Sequence, residues 1–70
     1  MDKRNDQTNQ NRFLNSKEVA EIVGFNVDWI YKKIAKGEFP KPIKIGRSSR
    51  WLYTEIMQWI NETANQAARL

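Results

Sequence analysis

After eleven positions with no apolar residue except Met1, apolar side chains recur in two short helical beats, one alternating stretch and a final helical beat. Asn15-x-x-Glu18 has the spacing of a capping box, and Leu14 and Val19 take the hydrophobic-staple positions on either side of it. Val19, Ala20, Ile22 and Val23 supply the buried side of a helix of about two turns, and Gly24 closes it as a left-handed terminal residue. The same grammar restarts at once. Asn26 is a second cap, flanked by Phe25 and Ile30. Val27, Ile30, Tyr31 and Ile34 follow the i, i+3, i+4, i+7 stripe that predicts a helix over 27–36. Tyr31 is read as core. The other side carries Asp28, Trp29, Lys32, Lys33 and Lys36. Gly37 stops the helix, and Phe39-Pro40-Lys41-Pro42 cannot resume it.

Ile43-Lys44-Ile45 alternates as a short strand, Gly46-Arg47-Ser48-Ser49 reads as the turn, and Arg50-Trp51-Leu52 as the returning strand. Two strands this short must lean on helices. A last helix from about Thr54 presents Ile56, Trp59 and Ile60, and its apolar stripe thins beyond Glu62. The order is helix, tight turn, helix, hairpin, helix. This predicts an α+β, mainly helical domain, a winged helix-turn-helix with a two-stranded hairpin wing. Its expected organisation is a disordered arm over 1–11, the folded domain over 12–62, and a frayed helix or tail over 63–70.

Composition narrows the chemistry. A chain of 70 residues has room for one small core, and eight aromatic residues stand in for the disulfides that a chain without cysteine cannot form. With neither His nor Cys, a metal site would need four carboxylates, so no metal or cofactor is expected. The serines sit in a cap and a turn with no base nearby, the acids are scattered, and an enzyme is not expected. No stretch approaches the ~20 apolar residues of a membrane span, and the polar N-terminus is no signal peptide. The expected location is the cytoplasm, on the nucleoid.

Charge is unevenly placed. Between Lys32 and Arg50 lie seven basic residues and the single acid Glu38, net +6 in nineteen positions, which leaves −2 for the rest of a chain of net +4. A basic segment in the middle of a folded domain is the footprint of a polyanion binder, although a solvated basic face carries the same signature. Val23-Gly24-Phe25-Asn26 leaves only a three- or four-residue turn, so the first two helices must cross steeply, as a DNA-binding helix-turn-helix requires. A helix pair serving only as core shares that beat, and Lys33 falls where the simplest pattern has an apolar residue.

On the DNA-binding reading the second helix enters a major groove with Val27, Asp28, Trp29, Lys32, Lys33 and Lys36. Lys32 donates to guanine or phosphate, and Asp28 accepts from cytosine or orients a lysine. Trp29 packs on a thymine methyl or sugar-phosphate, or else belongs partly to the core. The hairpin adds Lys44, Arg47, Ser48, Ser49 and Arg50, suited to phosphates or a narrow minor groove, with Lys44 placed by alternation on the polar side of the tip.

Phe13-Leu14, Val19-Ala20, Gly24, Ile30-Tyr31, Gly37, Phe39-Pro40-Lys41-Pro42, Arg50-Trp51 and Ile56…Trp59-Ile60 together resemble the AlpA family of prophage regulators, small MerR-like winged-helix proteins that include phage excisionases. The resemblance covers residues 13–60. It implies a phage or bacterial origin, the second helix in the major groove and the wing on backbone or minor groove. It also implies a role in transcription, often of integrase genes, or in directing recombination at attachment sites. Val27-Asp28-Trp29 departs from the small polar residues usual there, so base preference does not carry over. The wing is short.

Two other classes compete. A protein-interaction module that inhibits a host regulator would expose Trp29 and Trp59 as anchors. A single-strand binder would stack bases on an open sheet of aromatics. The expected partner is double-stranded DNA carrying repeated operator or attachment sites, with integrase or further copies of the chain as additional partners. Neither a small-molecule substrate nor a membrane is expected.

Overall fold

The computed structural model describes residues 12–69; the arm expected over 1–11 lies outside them. The elements are β1 (Phe13–Leu14), α1 (Ser16–Val23), α2 (Val27–Ala35), β2 (Ile43–Ile45), β3 (Ser48–Leu52) and α3 (Tyr53–Gln66). They form the winged helix-turn-helix architecture, α+β and mainly helical, with one addition. The sheet has three antiparallel strands in the order β1-β3-β2, because the residues before α1 pair with the returning strand, Phe13 opposite Leu52 and Leu14 opposite Trp51. A two-residue strand has no period of its own, so nothing in the pattern of residues announced it.

Short-range signals placed the helix ends. Asn15 accepts from the Glu18 N–H at 2.8 Å while the Glu18 carboxylate accepts from the Asn15 N–H at 2.9 Å, completing the capping box. That second bond holds the Glu18 carboxyl below the ordinary glutamate range, with Arg12 at 3.3 Å adding to it. Gly24, at φ +83°, ends α1 and donates to the Ala20 carbonyl. Asn26 caps α2 by accepting from the Trp29 N–H at 2.8 Å. At the far end Gly37 (φ +75°) donates to Ile34 and Glu38 to Lys33, the bond pair of a Schellman stop. Asn15→Ala is expected to cost ~1 kcal/mol of stability in urea denaturation; an unchanged midpoint would mean that the box contributes nothing.

The core is Leu14, Val19, Ile30, Phe39, Trp51 and Ile56, drawn from every element except β2 together with the linker after α2. That linker forms no ladder, so its carbonyls need other donors. Two indoles supply them: Trp51 Nε1 donates to the Pro40 carbonyl at 2.8 Å and Trp59 Nε1 to the Glu38 carbonyl at 3.0 Å. The linker is thereby pinned to β3 on one side and α3 on the other.

Helix α3 starts at Tyr53 and continues to Gln66, four residues past Glu62, and every residue from Asn61 to Arg69 is exposed. No helix among the described residues is long and apolar enough to cross a membrane.

The hairpin corrects the sequence reading. Its loop is Gly46-Arg47 alone, because Ile45 pairs with Ser48, Lys44 with Ser49 and Ile43 with Arg50. Gly46 is left-handed (φ +63°) and Arg47 is not, the sign pattern of a type II′ hairpin turn. Ser48 and Ser49, weak strand formers, belong to β3 because their partners hold them.

Candidate nucleic-acid interface

Residues of α2 divide by angle around the helix. Ile30 is buried and Ile34 and Val27 are half-buried on the same side. Val27, expected among the contacts, therefore lies on the inward stripe with Ile30 and Ile34 at i+3 and i+7. Asp28, Lys32, Ala35 and Lys36 are exposed on the outward side. Asp28 and Lys32 form an (i, i+4) ion pair at 3.2 Å with about three quarters of each side chain in solvent (76% and 74%). Such a pair is weak and opens easily to a competing partner.

Trp29 and Lys33 occupy one flank. Trp29 is half-buried, stacked on Phe25 with centroids 3.8 Å apart and meeting Phe39 and Trp59 edge-on at 6.4 and 6.3 Å. Lys33 Nζ lies 5.5 Å from the Trp29 ring centre and 2.9 Å from Glu38. The ammonium of Lys33 holds the Glu38 carboxyl below the ordinary range. The outward reader expected over Asp28, Trp29, Lys32, Lys33 and Lys36 thus narrows to Asp28, Lys32 and Lys36, because Trp29 and Lys33 turn toward the linker and α3.

Tyr31 takes the opposite flank. Expected in the core, it is 44% exposed and packs edge-on against Trp51, centroids 6.2 Å apart. Its place at the margin of the apolar stripe made it legible as either. Which neighbour covers a marginal position is a tertiary matter.

The wing divides by pairing. Cross-strand partners share a face, so Lys44, Ser49, Trp51 and Leu14 point one way and Ile43, Ile45, Ser48, Arg50, Leu52 and Phe13 the other. The expectation that Lys44, Ser48, Ser49 and Arg50 share one polar side therefore fails: a two-residue loop places Ser48 and Arg50 opposite to Lys44. Ile43 and Ile45 are exposed (38% and 46%) because they face away from Trp51. Arg50 is half-buried, donates to the Ser49 carbonyl at 2.9 Å, and contributes to lowering Glu18. At the tip Arg47 is exposed, and no acceptor for its guanidinium is present among the described residues. Lys44 Nζ lies 3.5 Å from the Arg47 carbonyl.

Tyr31 of α2 touches Trp51 of β3. Exposed cations stand on both parts, Lys32 and Lys36 on α2 and Lys44 and Arg47 on the hairpin. Three carboxylates lie apart from these: Glu38, Glu55 and Glu62 line a groove of about 530 Å³ between the linker and α3, with Trp59 and Phe39 in its wall. Among the described residues no three His, Cys, Asp or Glu side chains gather as metal ligands.

Glu18 and Glu38 give a pH expectation. Both carboxyls are depressed in the folded protein, so their stabilisation is present above the unfolded glutamate pKa of ~4.3 and is lost as pH falls through the folded values. Thermal midpoints are expected to stay level from neutral pH to about pH 5 and to drop below it. The drop should shrink in a Glu18→Gln, Glu38→Gln double variant, and an equal drop would remove these pairs from the explanation.

Residues 12–64 match the family described as prophage CP4-57 regulatory protein (AlpA). The chain is also 38% identical over 52 residues to uncharacterized protein ORF88 of Enterobacteria phage P4, across 73% of this chain and 59% of that relative. It therefore spans about three fifths of the length of the curated relative it matches. No solved structure matches the chain.

Proposed function

This chain belongs to the family of the AlpA prophage regulatory protein, and from that premise we propose that it regulates by binding a specific site on duplex DNA. Helix α2 lies in the major groove with Asp28 and Lys32 toward base edges and Lys36 toward a phosphate. The wing lies on backbone or minor groove with Lys44, Ser49 and Arg47 as its leading contacts. Val27, Trp29 and Lys33 act by fixing the helix, and Ser48 and Arg50 by fixing the hairpin and reaching phosphates at its margin. One observation carries the reading: Lys32 and Lys36 on α2 and Arg47 at the wing tip are exposed cations, while Glu38, Glu55 and Glu62 line a groove beside α3. A helix flanked by a narrow basic loop suits one groove and the neighbouring backbone.

Two tasks use such a domain, control of transcription and direction of recombination at attachment sites. Both call for repeated sites, because one small domain reads few bases and gains affinity from neighbouring copies. Integrase is the natural further partner of the second task.

The alternative, a module that inhibits a host regulator, is weakened because its anchors are half-buried: Trp29 stacks on Phe25 and meets Trp59 edge-on, and Trp59 also meets Phe39 edge-on at 4.7 Å.

Selection from a pool of random duplexes, read by sequencing, tests the proposal. A motif that recurs near helical-turn spacing supports it. Retention without a motif makes the protein a non-specific binder, and no retention at all transfers the function to a protein partner.

A further inference from the structure

Tyr31 is the residue of α2 that touches Trp51 in the central strand of the sheet. It lies three residues after Asp28, one before Lys32 and four before Ala35, so it shares the margin of the outward side of α2 with Asp28 and Ala35. Its ring is held from below by Trp51, edge-on at 6.2 Å. Trp51 belongs to the same sheet face as Ser49 and Lys44. The phenol is thus oriented by a buried residue yet 44% exposed, and among the described residues its hydroxyl has no hydrogen-bond partner. The neighbour one turn on, Ala35, is exposed and small. It leaves room for a backbone to approach at that point.

We propose that Tyr31 is a positioning residue for DNA: its hydroxyl donates to a phosphate oxygen between the groove segment under α2 and the backbone segment under the wing. The inference rests on the DNA-binding reading and deepens it. Tyr31 is braced on one side by Trp51 and open on the other. Because the donor is neutral and its acceptor carries no base identity, the contact fixes register between helix and wing without reading sequence. It also displaces no condensed counterion, unlike a lysine contact.

The test compares Tyr31→Phe with Lys32→Ala on one duplex recovered by selection, across a salt series, with thermal midpoints recorded. Tyr31→Phe keeps the ring against Trp51, so its midpoint should match the parent. Its affinity should fall about tenfold, the loss of one hydrogen bond to a charged group. That loss should be equal on matched and mismatched duplexes, with the slope of log affinity against log salt unchanged. If an ammonium contact to a phosphate is lost instead, as in Lys36→Ala, the slope should become shallower by about 0.9 per phosphate. Parental affinity in Tyr31→Phe while Lys32→Ala is weakened would overturn the Tyr31 assignment and leave the DNA-binding reading intact. Should the parent protein itself retain no duplex, both fall together.

Discussion

Trp51→Ala is expected to unfold the domain. Trp51 has no exposed surface and lies in the central strand of the sheet, paired with Leu14 on the neighbouring strand β1. It supports Tyr31 of α2 and supplies the donor for the Pro40 carbonyl, so four parts of the chain meet on one side chain. Truncating a fully buried large aromatic costs ~3–5 kcal/mol, and the Pro40 carbonyl loses its partner besides. A single small domain has about that much stability to lose. Circular dichroism should show a lost cooperative transition. Trp51→Phe, which retains an aromatic ring but not the N–H, should fold with a lowered midpoint. A Trp51→Ala protein that melts like the parent would mean that the core is organised around other residues.

Lys32→Ala combined with Arg47→Ala is expected to abolish tight duplex binding without touching the fold. Both side chains are exposed, one on α2 and one at the wing tip, and neither packs against the core. Each good base or phosphate contact is worth ~1–3 kcal/mol, so the pair should lose affinity on the order of a hundredfold. The two single variants separate the roles. A base-reading Lys32 relaxes discrimination at one position of the site, whereas a phosphate contact by Arg47 weakens all sequences alike. Equal affinity of the double variant and its parent would place the DNA surface elsewhere or remove it.

Much of this architecture was legible because short-range chemistry set it. The Asn15–Glu18 box, the Asn26 cap and the left-handed Gly24 and Gly37 involve residues a few positions apart, and each forms as its spacing predicts. Ile30 and Ile56 were legible as core from periodicity. What resisted reading depended on partners distant in the chain. Strand β1 exists because Leu52 and Trp51 receive it. The side to which Lys44 points follows from a loop of two residues instead of four, which inverts the relation of Ser48 and Arg50 to it. Trp29 and Tyr31 lie at opposite margins of one helical stripe. Phe39 and Trp59 draw Trp29 inward, while Trp51 props Tyr31 outward. Lys32, Lys36 and Arg47 are exposed cations, and the wing residues divide between two faces instead of sharing one.

The salt dependence of binding to a selected duplex bears most directly on the proposed interface. With roughly five phosphates engaged by α2 and the wing, log affinity should fall against log salt with a slope near −4.5, and the same strand single-stranded should bind far more weakly. A slope near zero, or equal affinity for single and double strands, would contradict an interface that sets Lys36, Lys44 and Arg47 on the backbone of a duplex.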